Sequence, residues 1–346
     1  MSIDTIPQVF CGVCQMETPN TLFGNYLYPT AKEIMEEQQN KTWFAQEIDV
    51  AGDIHDYRHN MTSEQFALVS TTLQLFVETE QVVGNIWEII SSWFPHSEIE
   101  GACTQVAAME KSVHAFFYQK MSDELNIDPE TIASNQKLVI ELNNKLAMLK
   151  QIMSNVKQAT TPTKRSLVLF TVSLIEQVVL FSNFAMLKSF RANGNSLIPN
   201  TITGVNFVVQ DESIHGVLAS YLFNEYVKEN KLQLNTSYLE EVIQEILVRE
   251  DAVVDYLFLT DTMKINGIDR LDLKRFIRER VNFVCAEMNL PMYSVGSTPS
   301  LISEWFFQGV NAISIHDFFT SGTHQYKRNW SETKLSRLPH IKDNHE

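Results

Sequence analysis

The sequence predicts an all-α fold, a bundle of long antiparallel helices, and three observations carry that expectation. Apolar residues recur at helical spacing over several stretches longer than twenty residues. The breakers between them are short ("WFPHS", "TTPTK", "RANGNS", "INGID", "LPMYSVGSTPS"), and short links between long helices make neighbours antiparallel. No convincing strand alternation, internal repeat or low-complexity tract interrupts the pattern. One all-α domain is expected over residues 21–320, between a flexible N-terminal segment (1–20) and a flexible C-terminal tail (321–346).

The elements follow in order. Thr62-Ser-Glu-Gln65 has the spacing of a capping box and opens a helix to about Ser92. Ser97-Glu-Ile-Glu100 opens a second, to about Leu125. Asp128-Pro129, a cap followed by proline at the first helical position, starts a third to about Val156. Four more are expected over 164–190, 201–229, 237–266 and 269–289.

Composition narrows the function. A chain of 346 residues with 44% hydrophobic content can bury a sizeable core. A net charge of −15 without a Lys/Arg run argues against a nucleic-acid surface. Four cysteines are too few for a disulfide scaffold and point to a reducing cytosol; Cys11 and Cys14 form an isolated C-x-x-C near the N-terminus. That terminus has no basic-then-apolar leader. Ser166 to Phe190 is apolar enough to raise the question of a membrane, but Glu176 and Gln177 stand at its centre. A lone carboxylate there would cost roughly 3 kcal/mol in a bilayer, so a helix wrapped by protein is expected.

Charges inside apolar helices carry the chemistry. In "VNFVVQDESIHGVLASYLF", Asp211, Glu212 and His215 interrupt a greasy run, and Glu212 and His215 share a face at i and i+3. Glu176 stands in the most apolar helix. Upstream, "QVAAMEKSVHAFFY" offers Glu110 and His114 at i and i+4, and "LQLFVETEQVVGNIW" offers Glu78 and Glu80. Each carboxylate buried unpaired would cost several kcal/mol, and these stretches are poor in Lys and Arg. Two helices giving a lone carboxylate and two giving a Glu with a His one turn later form the ferritin-like di-metal constellation. Carboxylates with two imidazoles suit iron or manganese better than a structural zinc site.

With these residues in place, the sequence resembles the small, radical-generating subunit of class I ribonucleotide reductases, over roughly Phe23 to Tyr326. The segment around Trp43 and Glu47 has that family's Trp-x-x-x-Glu pattern, "LIEQVVLFSNFAML" is similar to its third-ligand helix, and "VVQDESIH" to its Asp-Glu-x-x-His. The resemblance implies metal ligands at Glu80, Glu110, His114, Glu176, Glu212 and His215, with Glu80 standing where the family usually has Asp. It implies a radical tyrosine at Tyr118 in an apolar pocket that includes Phe184 and Val208, and a relay from His114 through Asp211 to Trp43, with Tyr326 as a candidate exit residue. Two iron ions are the implied cofactor, with manganese or a mixed pair compatible with the same ligands. A large catalytic subunit, a homodimer and a cytoplasmic location are implied likewise.

One departure matters. The family's first pair is Glu-x-x-His, whereas this chain has Glu110-Lys-Ser-Val-His114. Strict spacing would place Lys111 at the ligand position; neighbouring residues favour Glu110, with one residue inserted as a π-bulge. A di-metal oxygenase or oxidase acting directly on a small substrate is the alternative on the same scaffold. Iron storage fits poorly, since the chain is about twice the length such a bundle needs.

Overall fold

A computed structural model of the chain describes residues 14–20, 24–127, 136–258, 260–293, 298–307 and 310. Helices dominate these residues, and the longest form one bundle.

Helix α1 (Pro29–Asn40) was not set apart in the sequence; it buries Ala31, Ile34 and Gln38. Helix α2 (Ser63–Ser91) opens on a complete capping box. Oγ1 of Thr62 accepts from the Gln65 N–H at 3.2 Å, and the Gln65 side chain accepts from the Thr62 N–H at 2.9 Å. Helix α3 (Ser97–Met109) runs through a wide π-turn (Glu110–His114) into α4 (Ala115–Glu124). The Asp128-Pro129 start lies outside the described residues; its helix is described as α5 (Gln136–Lys157). Helix α6 (Pro162–Leu174) starts on a Thr161 cap with proline in its first turn, then passes through the second π-turn that interrupts a long helix (Ile175–Val179) into α7 (Leu180–Lys188).

Helix α8 (Pro199–Glu229) is the longest described. Its N-terminus is secured by carboxylates of two distant short helical turns, Val50–Asp53 and Asp56–Asn60. Asp53 accepts from the N–H groups of Asn200 (3.1 Å) and Thr201 (2.6 Å), and Asp56 from that of Ile198 (2.8 Å). These bonds satisfy donors a helix start leaves open, and they hold Ile198 at a left-handed φ of 46°.

The helix expected to reach Asn266 ends at Leu257 instead (α9, Thr236–Leu257). A hairpin follows, β1 (Lys264–Ile265) and β2 (Ile268–Asp269), a correction to the strand-free expectation. Its two-residue turn is Asn266-Gly267, at φ 53° and 85°, the signature of a type I′ hairpin turn. Asp269 then caps α10 (Arg270–Glu287) through the Asp272 N–H at 2.9 Å. A short α11 (Ile302–Trp305) closes the described fold.

Helix α2 packs against α3, α4 and α5, α6 against α8, and α1 across α3 and α8. The apolar stretch Pro162–Arg191 has 94% of its most apolar window buried inside the protein, so it is a core helix. Within residues 14–20, Cys14 and Met16 are buried. Glu229 at the end of α8 accepts from the Cys14 thiol, the Met16 N–H and the Tyr28 hydroxyl. Cys11 lies outside the described residues, as do Tyr326 and the tail 321–346.

Candidate metal centre

The four ligand-bearing helices turn their carboxylates and imidazoles toward one buried volume. Glu80 comes from the middle of α2, Glu110 and His114 from the first π-turn, Glu176 from the second, and Glu212 and His215 from α8. All six are buried. They make two overlapping groups: Glu80, Glu110, His114 and Glu212, and then Glu110, Glu176, Glu212 and His215. In each group one donor atom per residue lies within 4.8 Å of the others. Glu110 and Glu212 belong to both, the placement of residues that can bridge two cations. The side chain of Glu78 lies outside those described.

Both imidazoles present Nδ1 to the carboxylates. His114 Nδ1 lies 3.1 Å from Glu212 Oε1. His215 Nδ1 lies 2.9 Å from Glu110 Oε1 and 2.8 Å from Glu212 Oε2. Their Nε2 atoms face outward to orienting partners, Asp211 Oδ2 at 3.0 Å for His114 and the Gln38 amide for His215. Such outer partners fix ring orientation and raise ligand basicity.

The cluster is chemically unbalanced as protein alone. Both oxygens of Glu80, and Glu110 Oε2, His114 Nδ1, Glu176 Oε2 and Glu212 Oε1, are buried without a hydrogen-bond partner. Burial, then the like charge of Glu110, pushes the Glu80 and Glu176 carboxyls well above the usual range. Burial alone would raise Glu110 too, but Glu80, His114 and His215 favour its ionised form and lower it. Burial would lower both imidazoles, yet the Glu212 charge and neighbouring carboxylates raise them, His215 to about 9. Two divalent cations at this cluster would neutralise carboxylates sunk in a low dielectric without the need for protons. The oxygen-rich donor set, its open donor atoms and its oriented imidazoles fit a pair of hard to borderline divalent metals.

The Glu110-Lys-Ser-Val-His114 departure has a structural explanation. The extra residue is absorbed by the π-turn over Glu110–His114, which keeps Glu110 and His114 on one inward face. Lys111 points away, a quarter exposed, and pairs with Glu88 at 2.5 Å. Two buried cations come from helices outside the ligand-bearing stretches. Lys145 and Arg280 are buried beside the second π-turn, but they engage Glu250 and Gln177 rather than the cluster.

Tyr118 is fully buried, and its hydroxyl has no hydrogen-bond partner. Its ring stacks on Phe76 at 4.6 Å, and Phe76 stacks in turn on Phe184 at 4.9 Å. Val208 is buried in the same core. Burial, and then the nearby charge of Glu80, pushes the phenol pKa well above its ordinary value. Trp43 is buried, donates to Asp211 Oδ2 at 2.8 Å, and packs between Phe207 and Phe117.

Three site residues were not picked out from the sequence. Gln38 on α1 holds His215, Trp87 on α2 donates its indole N–H to Glu176 Oε1, and Phe76 covers Tyr118. Trp87 lies seven residues after Glu80 on the same apolar helix face, a spacing that could have flagged it. Gln38 sits in a polar run, "EEQQN", with no such signal.

Comparison with known proteins agrees with this geometry. The family model described as "Ribonucleotide reductase, small chain" matches residues 22–298. A ribonucleoside-diphosphate reductase small chain of African swine fever virus is 23% identical over 298 residues, covering 84% of this chain and 85% of that one. Among solved structures, the ribonucleotide reductase R2 subunit from Clostridium botulinum superposes with a TM-score of 0.71 at 16% identity, covering 82% of this chain and 88% of that one. The dimanganese(II)-NrdF of Streptococcus sanguinis gives 0.67 at 16% identity, covering 85% and 99%.

Proposed function

The chain belongs to the family of ribonucleotide reductase small chains, and from that premise we propose that its buried cluster holds two metal ions and that Tyr118 stores the radical used by a large catalytic subunit. The enzyme is ribonucleoside-diphosphate reductase, an oxidoreductase that acts as a complex of small and large subunits. When bound, the metal pair supplies one-electron oxidising power from dioxygen. Glu80, Glu110 and His114 would hold one ion, and Glu176 and His215 the other, with Glu110 and Glu212 shared. Two iron ions are the proposed occupants; the same donors accept manganese or a mixed pair.

The observation that carries this reading is the state of Tyr118. A fully buried phenol whose hydroxyl has no partner costs stability, and it stands in an aromatic wall near enough to the cluster for the charges of Glu80 and His114 to act on it. That wall shields a one-electron-oxidised ring from water and reductants. His114, Asp211 and Trp43 form a continuous contact from the cluster to the segment that follows α1, the proposed first stretch of the path to the large subunit. A homodimeric, cytoplasmic protein is proposed with it. Tyr326, proposed as the exit residue, lies outside the described residues.

The test is reconstitution without oxygen using Fe(II), followed by oxygen exposure and electron paramagnetic resonance. The wild-type chain gives a tyrosyl signal and supports ribonucleoside diphosphate reduction with its large subunit. Tyr118→Phe loads metal and gives neither. Full turnover by Tyr118→Phe would overturn the assignment.

A further inference from the structure

The second π-turn, Ile175–Val179, carries Glu176 and is gripped from two sides by buried cations that the proposed chemistry does not use. From α10, the Arg280 guanidinium donates through Nε to the Gln177 carbonyl at 3.0 Å and through Nη2 to the Gln177 side-chain oxygen at 3.0 Å. Its plane lies between the rings of Phe181 and Phe283, 4.4 and 4.3 Å from their centroids. From α5, Lys145 Nζ donates to the Val179 carbonyl at 3.4 Å and pairs with Glu250 at 2.8 Å. The Ser182 hydroxyl lies within hydrogen-bond reach of both Glu250 and the Val179 carbonyl (3.0 Å), and its single proton serves one of them at a time.

A π-turn breaks the regular i→i+4 ladder by one residue, so its carbonyls are the groups most in need of outside donors. Here the Gln177 carbonyl takes a charged, buried donor in Arg280, and buried Lys145 adds a charge at the Val179 carbonyl beside Ser182 and Asn183 (3.0 and 3.2 Å). Moving an ion pair into a core costs several kcal/mol per ion, and apolar residues of the same volume often stabilise a fold more. Packing alone therefore gives no reason for Lys145, Glu250 and Arg280 to be there. Collapse of the wide turn to an ordinary helix would re-register the chain by one residue and swing Glu176 by about 100° about the helix axis.

We propose that Lys145 and Arg280 are positioning residues: by holding the Val179 and Gln177 carbonyls they keep the turn wide and deliver Glu176 to the second metal position. This rests on the two-metal reading of the cluster. Only Glu176 depends on this turn; Glu80, Glu110, His114 and Glu212, the first group, are carried by other elements. The consequence is selective: losing the grip weakens one metal position and spares the other.

The experiment is anaerobic Mn(II) titration of the full-length chain, with stoichiometry and electron paramagnetic resonance as readouts, alongside hydrogen exchange of the amides at 175–180. Wild type binds two Mn(II) per chain with the spectrum of a coupled pair. Lys145→Met/Glu250→Gln, which removes the ion pair as a unit, binds the first ion as wild type does. It binds the second about 10–100-fold more weakly, shows an uncoupled Mn(II) spectrum, and exchanges 175–180 faster at unchanged thermal stability. Arg280→Lys, which keeps the charge but not the fork, gives the same pattern more mildly and serves if the double variant does not fold. Two coupled ions in both variants, or equal weakening of both ions, overturns the proposal. A wild-type chain that binds fewer than two ions defeats the two-metal reading instead.

Discussion

Oδ2 of Asp211 accepts the indole N–H of Trp43 at 2.8 Å and lies 3.0 Å from Nε2 of His114, so one carboxylate oxygen serves both rings. If His114 gave Nδ1 to a metal, its proton would sit on Nε2, and Asp211 would be the negative partner that orients the ring. Asp211→Asn can keep both contacts through its amide oxygen but loses the charge. We expect metal affinity at the first position to fall about 10–100-fold and nucleotide reduction with the large subunit to fall further still. Trp43→Phe separates the two roles: it loads metal and forms the tyrosyl signal, while turnover drops to background. Wild-type turnover in Trp43→Phe removes Trp43 from the relay.

Tyr118→Phe has an expected sign in stability as well as in chemistry. The hydroxyl it removes is buried without a partner, and deleting an unsatisfied polar group recovers a desolvation cost of about 1–3 kcal/mol at most. Chemical denaturation of the metal-free protein should show Tyr118→Phe as stable as wild type or more so. A loss beyond about 1 kcal/mol means that the hydroxyl is bonded in solution, and the isolated-phenol picture fails.

Glu110 and Lys111 are adjacent in sequence and opposite in consequence. Glu110 is fully buried in the cluster, whereas Lys111 makes a partly exposed pair with Glu88, a kind of contact worth about 0–1 kcal/mol. Lys111→Met should leave metal stoichiometry at the wild-type value and shift stability by less than about 1 kcal/mol. Glu110→Gln removes a donor common to both groups and should leave at most one ion per chain. Equal metal loss in the two variants would return Lys111 to the site.

How far the sequence reached follows from which forces are local. The Thr62/Gln65 capping box and the helix-spaced apolar runs depend on near neighbours, so α2 and α8 were legible within a few residues. The di-metal pattern was legible because carboxylates in apolar helices violate the burial rule and demand partners. The end of α9 at Leu257 and the Asn266-Gly267 hairpin were not, since "INGID" was read as a breaker although its Asn-Gly is a strong hairpin signal. The second π-turn was invisible for a different reason: what keeps it wide comes from Arg280 and Lys145, more than a hundred residues later and about thirty earlier. Gln38 and Trp87 were missed likewise, because only the fold says which outer residue meets which ligand.

Gly216 gives the last prediction. It follows His215 on α8, and a Cβ built there would stand 2.2 Å from Cγ and 2.4 Å from Cδ of Gln177, closer than side-chain atoms tolerate. Gln177 cannot swing aside cheaply, because its amide is held by Arg280 at one end and by Glu287 (2.9 Å) at the other. Gly216→Ala must therefore displace the π-turn or α8. Overpacking of this kind costs about 1–3 kcal/mol, partly offset by alanine's better helix propensity of roughly 1 kcal/mol. We expect a lower unfolding midpoint together with weaker binding of the second metal, since Glu176 and His215 flank the clash. Gly216→Ala/Gln177→Ala relieves the clash and should recover stability, yet it also removes the side-chain half of the Arg280 fork, so metal binding should recover only in part. Measuring midpoint and Mn(II) affinity on both variants tests the coupling: full recovery of both would show that the close approach of Gly216 and Gln177 is steric only.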